Sequence, residues 1–266
     1  MILAFGAGWG FAAAAGAAGA YAAVALARAR LSTPGLRSIL LAAWVLHAIA
    51  LGDGLMGEPA RFGFAPSLSV TVWLVLTVYA IESRLFPQLH AHWGLAGLAS
   101  AAVVLALVFP GSSYPAIASP WLPLHWALGI ASYGLFAVAV VHGWLMSRSE
   151  QSMRKAAQTD AGVPLMTLER LTFRFVQAGF ALLSATLLAG WFFAETFYGP
   201  QQAWKWNHKT IFSLLAWLTF AALLLGRARL GWRGRKAVRV LYLGAGLLLF
   251  GYAGSRFVLE VILGRV

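Results

Sequence analysis

The feature that most constrains this chain is a succession of apolar runs, each about as long as a bilayer is thick. A membrane-spanning helix needs roughly 20 predominantly apolar residues. Eight stretches qualify: 5–27, 36–53, 66–83, 93–110, 124–146, 172–195, 208–226 and 237–259. Between them the polar segments are short. Hydrophobic residues make up 61% of the chain and charged ones 11%, which leaves too little polar surface to coat a water-soluble domain. The expected fold is therefore all-α: one polytopic integral membrane domain over 1–266, with eight transmembrane helices. The first run is long and has no positive residues before it. It reads as a retained first span rather than a cleaved signal peptide.

Sidedness follows from the basic residues. Fifteen of the twenty Lys and Arg fall on one side: Arg28, Arg30, Arg37, Arg84, Arg148, Arg154, Lys155, Arg170, Arg174, Arg227, Arg229, Arg233, Arg235, Lys236 and Arg239. Arg61, Lys205, Lys209, Arg256 and Arg265 fall on the other. The positive-inside rule then puts both termini on the outer, periplasmic side of the inner (plasma) membrane. It also accounts for the net charge of +12 without nucleic acid as a partner; the lipid bilayer is the partner expected. The 4–5 connection, 110–123, holds four of the ten prolines and no charge, so a stiff outer cap is expected. The stretch 147–171 reads as the longest cytoplasmic loop. Gly16, Gly19 and their alanine neighbours should let the first helix pack closely on another.

Chemistry has few carriers. Cysteine is absent, which excludes disulfides, thiolate metal sites and iron–sulfur clusters. No nucleophile elbow, P-loop, zinc-protease motif or dinucleotide fingerprint is present, and no catalytic residue is assigned. Six histidines remain. His90 and His92 lie in the short 3–4 loop and read as solvated interface residues. His142, near the inner end of helix 5, lies about 25 Å along the axis from His125 and reads as an interhelical hydrogen-bonder. His47 is inside helix 2, far from any charge, where an ionisable group tends to face the bundle interior.

His125 opens helix 5 in LPLHWALGIASYG, and His208 opens helix 7 in QQAWKWNHKTIFSLLAW. Both enter from the outer side and both are flanked by tryptophan: Trp126 beside the first, Trp204 and Trp206 with Asn207 before the second. Such tryptophans also form ordinary interfacial belts. Two imidazoles at matched depth among flat aromatics equally suit a haem, with His125 and His208 as axial ligands of the iron. Glu195, Lys205, Lys209 and Arg256 fall at the same level, where cations could pair with propionates or the carboxylate could orient an imidazole.

The segments AWKWNHKTIFSLLAWLTFAALLLGR, LPLHWALGIASYGLFAVAVVHG and LLFGYAGSRFVLEVIL resemble the cytochrome c assembly (CcsA/CcmC-type) family of haem-handling membrane proteins, and most of all its HemX/YpjD-like branch. The resemblance spans about 40–262. It implies an outward Trp-rich loop, an outward histidine at His125 and a membrane histidine at His47. Asn207 stands where the family's W-x-W-D motif has aspartate, and Leu225–Gly226 where haem lyases carry a second membrane histidine. The implied role is haem binding in cytochrome c or haem-protein assembly, or in haem homeostasis, alongside a membrane partner protein and without full lyase activity. Two other classes stay open. One is a cofactor-free transporter or permease accessory, with His47 and Glu195 lining a polar path. The other is a structural subunit docking through the small face of helix 1.

Overall fold

The computed structural model describes residues 8–27, 32–57, 61–85, 92–113, 121–154, 164–193 and 208–264. In chain order these form α1 (Gly8–Ala27), α2 (Thr33–Met56), β1 (Arg61–Phe62), α3 (Phe64–Leu85), α4 (His92–Val108), β2 (Ser112–Ser113), α5 (Trp121–Arg154), α6 (Leu165–Phe192), α7 (His208–Leu230) and α8 (Gly234–Leu249). Beyond α8 the same helix runs on through a π-helical turn (Phe250–Gly254), a short α-helical turn (Ser255–Phe257) and a second π-helical turn (Val258–Ile262). Among the described residues, seven helices are long and apolar enough to cross a membrane. The apolar helix α4 is shorter, at 17 residues. The chain is an all-α polytopic membrane protein.

By their internal contacts, residues fall into two compact units. The first unit contains α1, α2, α4, the start of α3 and the β1–β2 ribbon. Ser32 caps α2, its hydroxyl accepting from the Gly35 amide at 3.3 Å, and Pro34 sits in the first turn, where its missing N–H costs nothing. Helix α1 buries Ala13, Ala14, Ala17, Ala18, Tyr21 and Val24. Its partners are α2 and α4. Small residues permit this approach: a Cβ on Gly16 would meet Leu46 at 3.2 Å, and Ser100 of α4 donates to the Ala18 carbonyl at 2.9 Å. Ala13, Ala14, Ala17 and Ala18 are thus covered within the chain, while Gly16 and Gly19 stay exposed. Trp44 and Trp73 stack at 5.0 Å between α2 and α3, and the Trp44 indole donates to Thr77.

The second unit contains α5 to α8 and the end of α3. At its centre Phe136 (α5) and Phe220 (α7) stack face to face, 3.8 Å between centroids and 6° from parallel. Gly179 of α6 lies against Phe136, and Gly244 of α8 against Phe220. Glycine here gives the rings room that a methyl group would fill. Leu183, Ala216, Leu223 and Leu241 complete the core.

Several expected boundaries move. The stretch 147–171 is helical at both ends: α5 continues to Arg154 and α6 begins at Leu165, behind Pro164. Hydropathy marks only where a helix is apolar, and Ser-Arg-Ser-Glu-Gln-Ser-Met-Arg contains enough good helix formers to prolong α5 past that limit. Likewise α7 runs through Leu225–Gly226 to Leu230. The expected outer cap at 110–123 starts as the second strand of a small antiparallel ribbon, Ser112–Ser113 on Arg61–Phe62. Gly111, at φ 80°, turns the chain into it; a Cβ there would strike the backbone at Phe62–Gly63. Residues 121–123 already belong to α5.

Candidate functional site

Helices α5 to α8 follow one another in the second unit, and one end of this bundle collects polar groups in an otherwise apolar surround. His125 is contributed by α5. It does not open the helix, which begins at Trp121; Pro123 is accommodated within the first turn and His125 follows it. The ring is half-buried and lies along α6: a Cβ on Gly190 would come 3.3 Å from its Cε1, and the backbone of Thr186 is within hydrogen-bonding reach. The glycine at 190 is what lets the imidazole come this close to α6. Trp126 beside it is also half-buried.

Helix α7 begins at His208, which is exposed. The α7 side chain whose charge reaches His125 is its neighbour, Lys209. Successive helical residues point about 100° apart, so His208 and Lys209 face different directions. The Lys209 ammonium lies over the ring of Tyr252, 4.9 Å from its centroid, and near enough to Arg256 for their charges to interact. Tyr252 in turn meets Tyr133 of α5 edge to face at 6.5 Å, and the Tyr133 hydroxyl donates to the Leu248 carbonyl at 2.8 Å. Gly251 permits the crossing of α7 and the last helix, since a Cβ would lie 3.0 Å from that of Phe212. Tyr252 sits in the first π-helical turn, where the extra backbone residue re-aims the side chains that follow.

The site therefore joins His125, Lys209, Tyr252, Arg256 and Tyr133 from three helices. The two tyrosines were not among the residues singled out from sequence. Their trace was the pair Gly251 and Gly254 bracketing Tyr252 in an apolar helix, a spacing that also suits plain packing. Trp204, Trp206, Asn207, Glu195 and Lys205 lie outside the described residues, as does His90. His92 is the first residue of α4.

His47 belongs to the first unit and has surroundings of its own. It is fully buried. Its Nε2 is 2.8 Å from the Ser69 hydroxyl, and its ring meets Tyr21 edge-on at 5.8 Å. Its Nδ1 and the Tyr21 hydroxyl are buried without a hydrogen-bond partner among the described residues.

Among the described residues no three His, Asp or Glu side chains gather as they would around a bare metal ion. A haem iron asks less, because the macrocycle supplies four nitrogens and the protein one or two axial ligands. An imidazole beside two aromatic rings and two cations fits that requirement: a nitrogen for iron, flat surfaces for the ring and positive charge for carboxylates.

The profile of the family described as Cytochrome C assembly protein matches residues 34–263. The chain is 31% identical over 232 residues to Inner membrane protein YpjD of Escherichia coli, covering 83% of this chain and 84% of that one. It is 24% identical over 253 residues to Cytochrome c biogenesis protein CcsA of Gloeobacter violaceus, covering 73% and 74%. A protein of Azospirillum brasilense described only by its 28.8 kDa mass and its place upstream of a nifR3-like gene is 33% identical over 147 residues, about half of each chain. No solved structure matches. With 34–263 matched and seven apolar spans in place, this chain belongs to the cytochrome c assembly family, as a multi-pass protein of the inner membrane.

Proposed function

We propose that this protein binds haem at the outer end of its second unit and serves cytochrome c or haem-protein assembly, or haem homeostasis, without full lyase activity. The observation that carries the reading is the convergence of His125, Lys209, Tyr252 and Arg256 at one end of α5, α7 and the last helix. His125 and His208 are the residues proposed to hold its iron. Trp126, Trp204, Trp206 and Asn207 would border the macrocycle, and Lys209 and Arg256 would take its propionates. Bound haem would supply an iron centre that imidazole nitrogen can hold. The residues of the chain hold it, orient it and exclude water. His47, in the other unit, would be a separate haem-facing histidine. The names of the relatives, one of them a cytochrome c biogenesis protein, support the assembly role.

The same reading takes α4 as a short eighth span, about 25 Å long at 1.5 Å per residue, against a hydrocarbon core of about 30 Å. Both termini then lie outside, as do the start of α5 and the end of α6. A membrane partner from a haem-assembly system would complete the pathway.

The test is a titration of the purified protein with hemin, followed by visible spectroscopy. The wild type should give a saturable Soret band that is weakened by H125A or H208A and abolished by the pair. A band indifferent to both substitutions refutes the ligand assignment, and absence of any band refutes haem binding.

A further inference from the structure

Away from the proposed haem site, the second unit holds a buried histidine–carboxylate pair that nothing above employs. His142 of α5 and Glu82 of α3 are 3% and 6% exposed, and His142 Nε2 lies 3.0 Å from Glu82 Oε2. The other ring nitrogen, Nδ1, is 2.9 Å from the carbonyl of Val138 one turn earlier. A carbonyl oxygen only accepts, so Nδ1 must carry a hydrogen. In a neutral imidazole that leaves Nε2 with a lone pair. A lone pair cannot face an ionised carboxylate at 3.0 Å, because both would be acceptors. One more proton is required between Nε2 and Oε2.

From this geometry we infer that His142 and Glu82 form a proton-binding site inside the membrane-spanning part of the second unit. The dyad holds two protons in all: one on Nδ1, directed at Val138, and one shared between Nε2 and Oε2. Written as imidazolium and carboxylate, or as imidazole and carboxylic acid, its net charge is zero. Without the shared proton it would carry a buried negative charge, which an apolar interior strongly disfavours. Neither residue has a second ion-pair partner among the described residues. From α6 the ring of Phe175 stacks on His142 at 5.3 Å, and the carboxylate at that end of α6, Glu169, is taken by Arg227 and Arg233. On α5 itself Arg148 is drawn over Trp144. From α8 the ring of Tyr242 lies beside Gly143, next to His142 in sequence. Glu82 Oε1 is buried with no hydrogen-bond partner among the described residues, so the carboxyl group is stabilised through Oε2 alone. The shared proton is also what ties the end of α3 to α5 across 60 positions of sequence.

The experiment uses full-length protein labelled with ¹⁵N-histidine, in nanodiscs at neutral pH, by NMR, with infrared difference spectra between wild type and E82Q. In E82Q an amide N–H can donate to Nε2, so the contact survives while the shared proton is no longer needed. One histidine should report Nδ1–H in both proteins, and it should disappear in H142Q. In the wild type it should be either an imidazolium, or a neutral Nδ1–H ring accompanied by the carbonyl band of a carboxylic acid that E82Q removes. Either partition supports the site. A wild-type His142 found as the neutral Nε2–H tautomer beside an ionised Glu82 overturns it, as does an E82Q substitution that changes neither the histidine spectrum nor any carboxylic acid band. Should H142Q fail to fold, the resonance moved by E82Q identifies the residue by itself.

Discussion

Replacing Gly244 by alanine tests the central ring stack directly. A Cβ at 244 would lie 2.7 Å from Cε1 and 2.8 Å from Cζ of Phe220. Ordinary carbon contacts lie at about 3.5–4.0 Å, so the ring would have to withdraw by about 0.8 Å or more. It has little room: Phe220 is fully buried and stacks 3.8 Å from Phe136, itself so close to α6 that a Cβ on Gly179 would lie 3.1 Å from it. Overpacking of this kind costs about 1–3 kcal/mol. Two residues on, Gly246 has nothing within 4 Å of the position a Cβ would take. There alanine should be neutral or gain up to about 1 kcal/mol in helix propensity. The assay is reversible denaturation in mixed micelles, comparing G244A, G246A and G244A/F220L. We expect a loss in the first, none in the second, and recovery of at least half of the loss in the third. Equal stability of G244A and G246A would refute the argument that glycine at 244 is required by the stack.

Four further outcomes are expected. G190V should push the His125 ring off α6, because even a single Cβ at 190 approaches it to 3.3 Å; hemin affinity should fall with the thermal stability little changed, and unaltered titration would count against His125 as a ligand. K209A/R256A should weaken hemin binding more than binding of a haem dimethyl ester, which lacks free propionates, as compared by paired titrations. E169A should cost about 1–3 kcal/mol in the same denaturation assay, since it strips the partner from Arg227, whose guanidinium otherwise lies over Phe173. S100A should cost only about 0.6 kcal/mol, the usual worth of a hydrogen bond between helices in a membrane, for its bond to the Ala18 carbonyl.

Apolar run length places every described helix, because burying backbone in lipid leaves a chain few alternatives. Ends are another matter. At 147–154 the helix outlasts its apolar stretch, and hydropathy carries no information about helix in water. The tight packing of α1 was readable from its alanines; that α2 and α4 are its neighbours was not. At the site, His125 and the cations Lys209 and Arg256 stood out because charge and imidazole are rare in such a chain. Tyr133 and Tyr252 did not, since a tyrosine in an apolar helix looks the same whether it packs or binds. The partnership of His142 with Glu82 was hidden by their separation of 60 positions in sequence; the histidine was singled out, the carboxylate was not.

The π-helical turn at Phe250–Gly254 makes this end of the chain sensitive to length rather than to composition. One residue removed there would convert it to an ordinary α-helical turn, shorten the helix by about 1.5 Å and swing everything downstream by about a quarter of a revolution. Arg256 would leave the company of Lys209 while every helix stayed intact. Kin of this protein that differ by a single deletion at this place would keep the bundle and lose the aim of this cation.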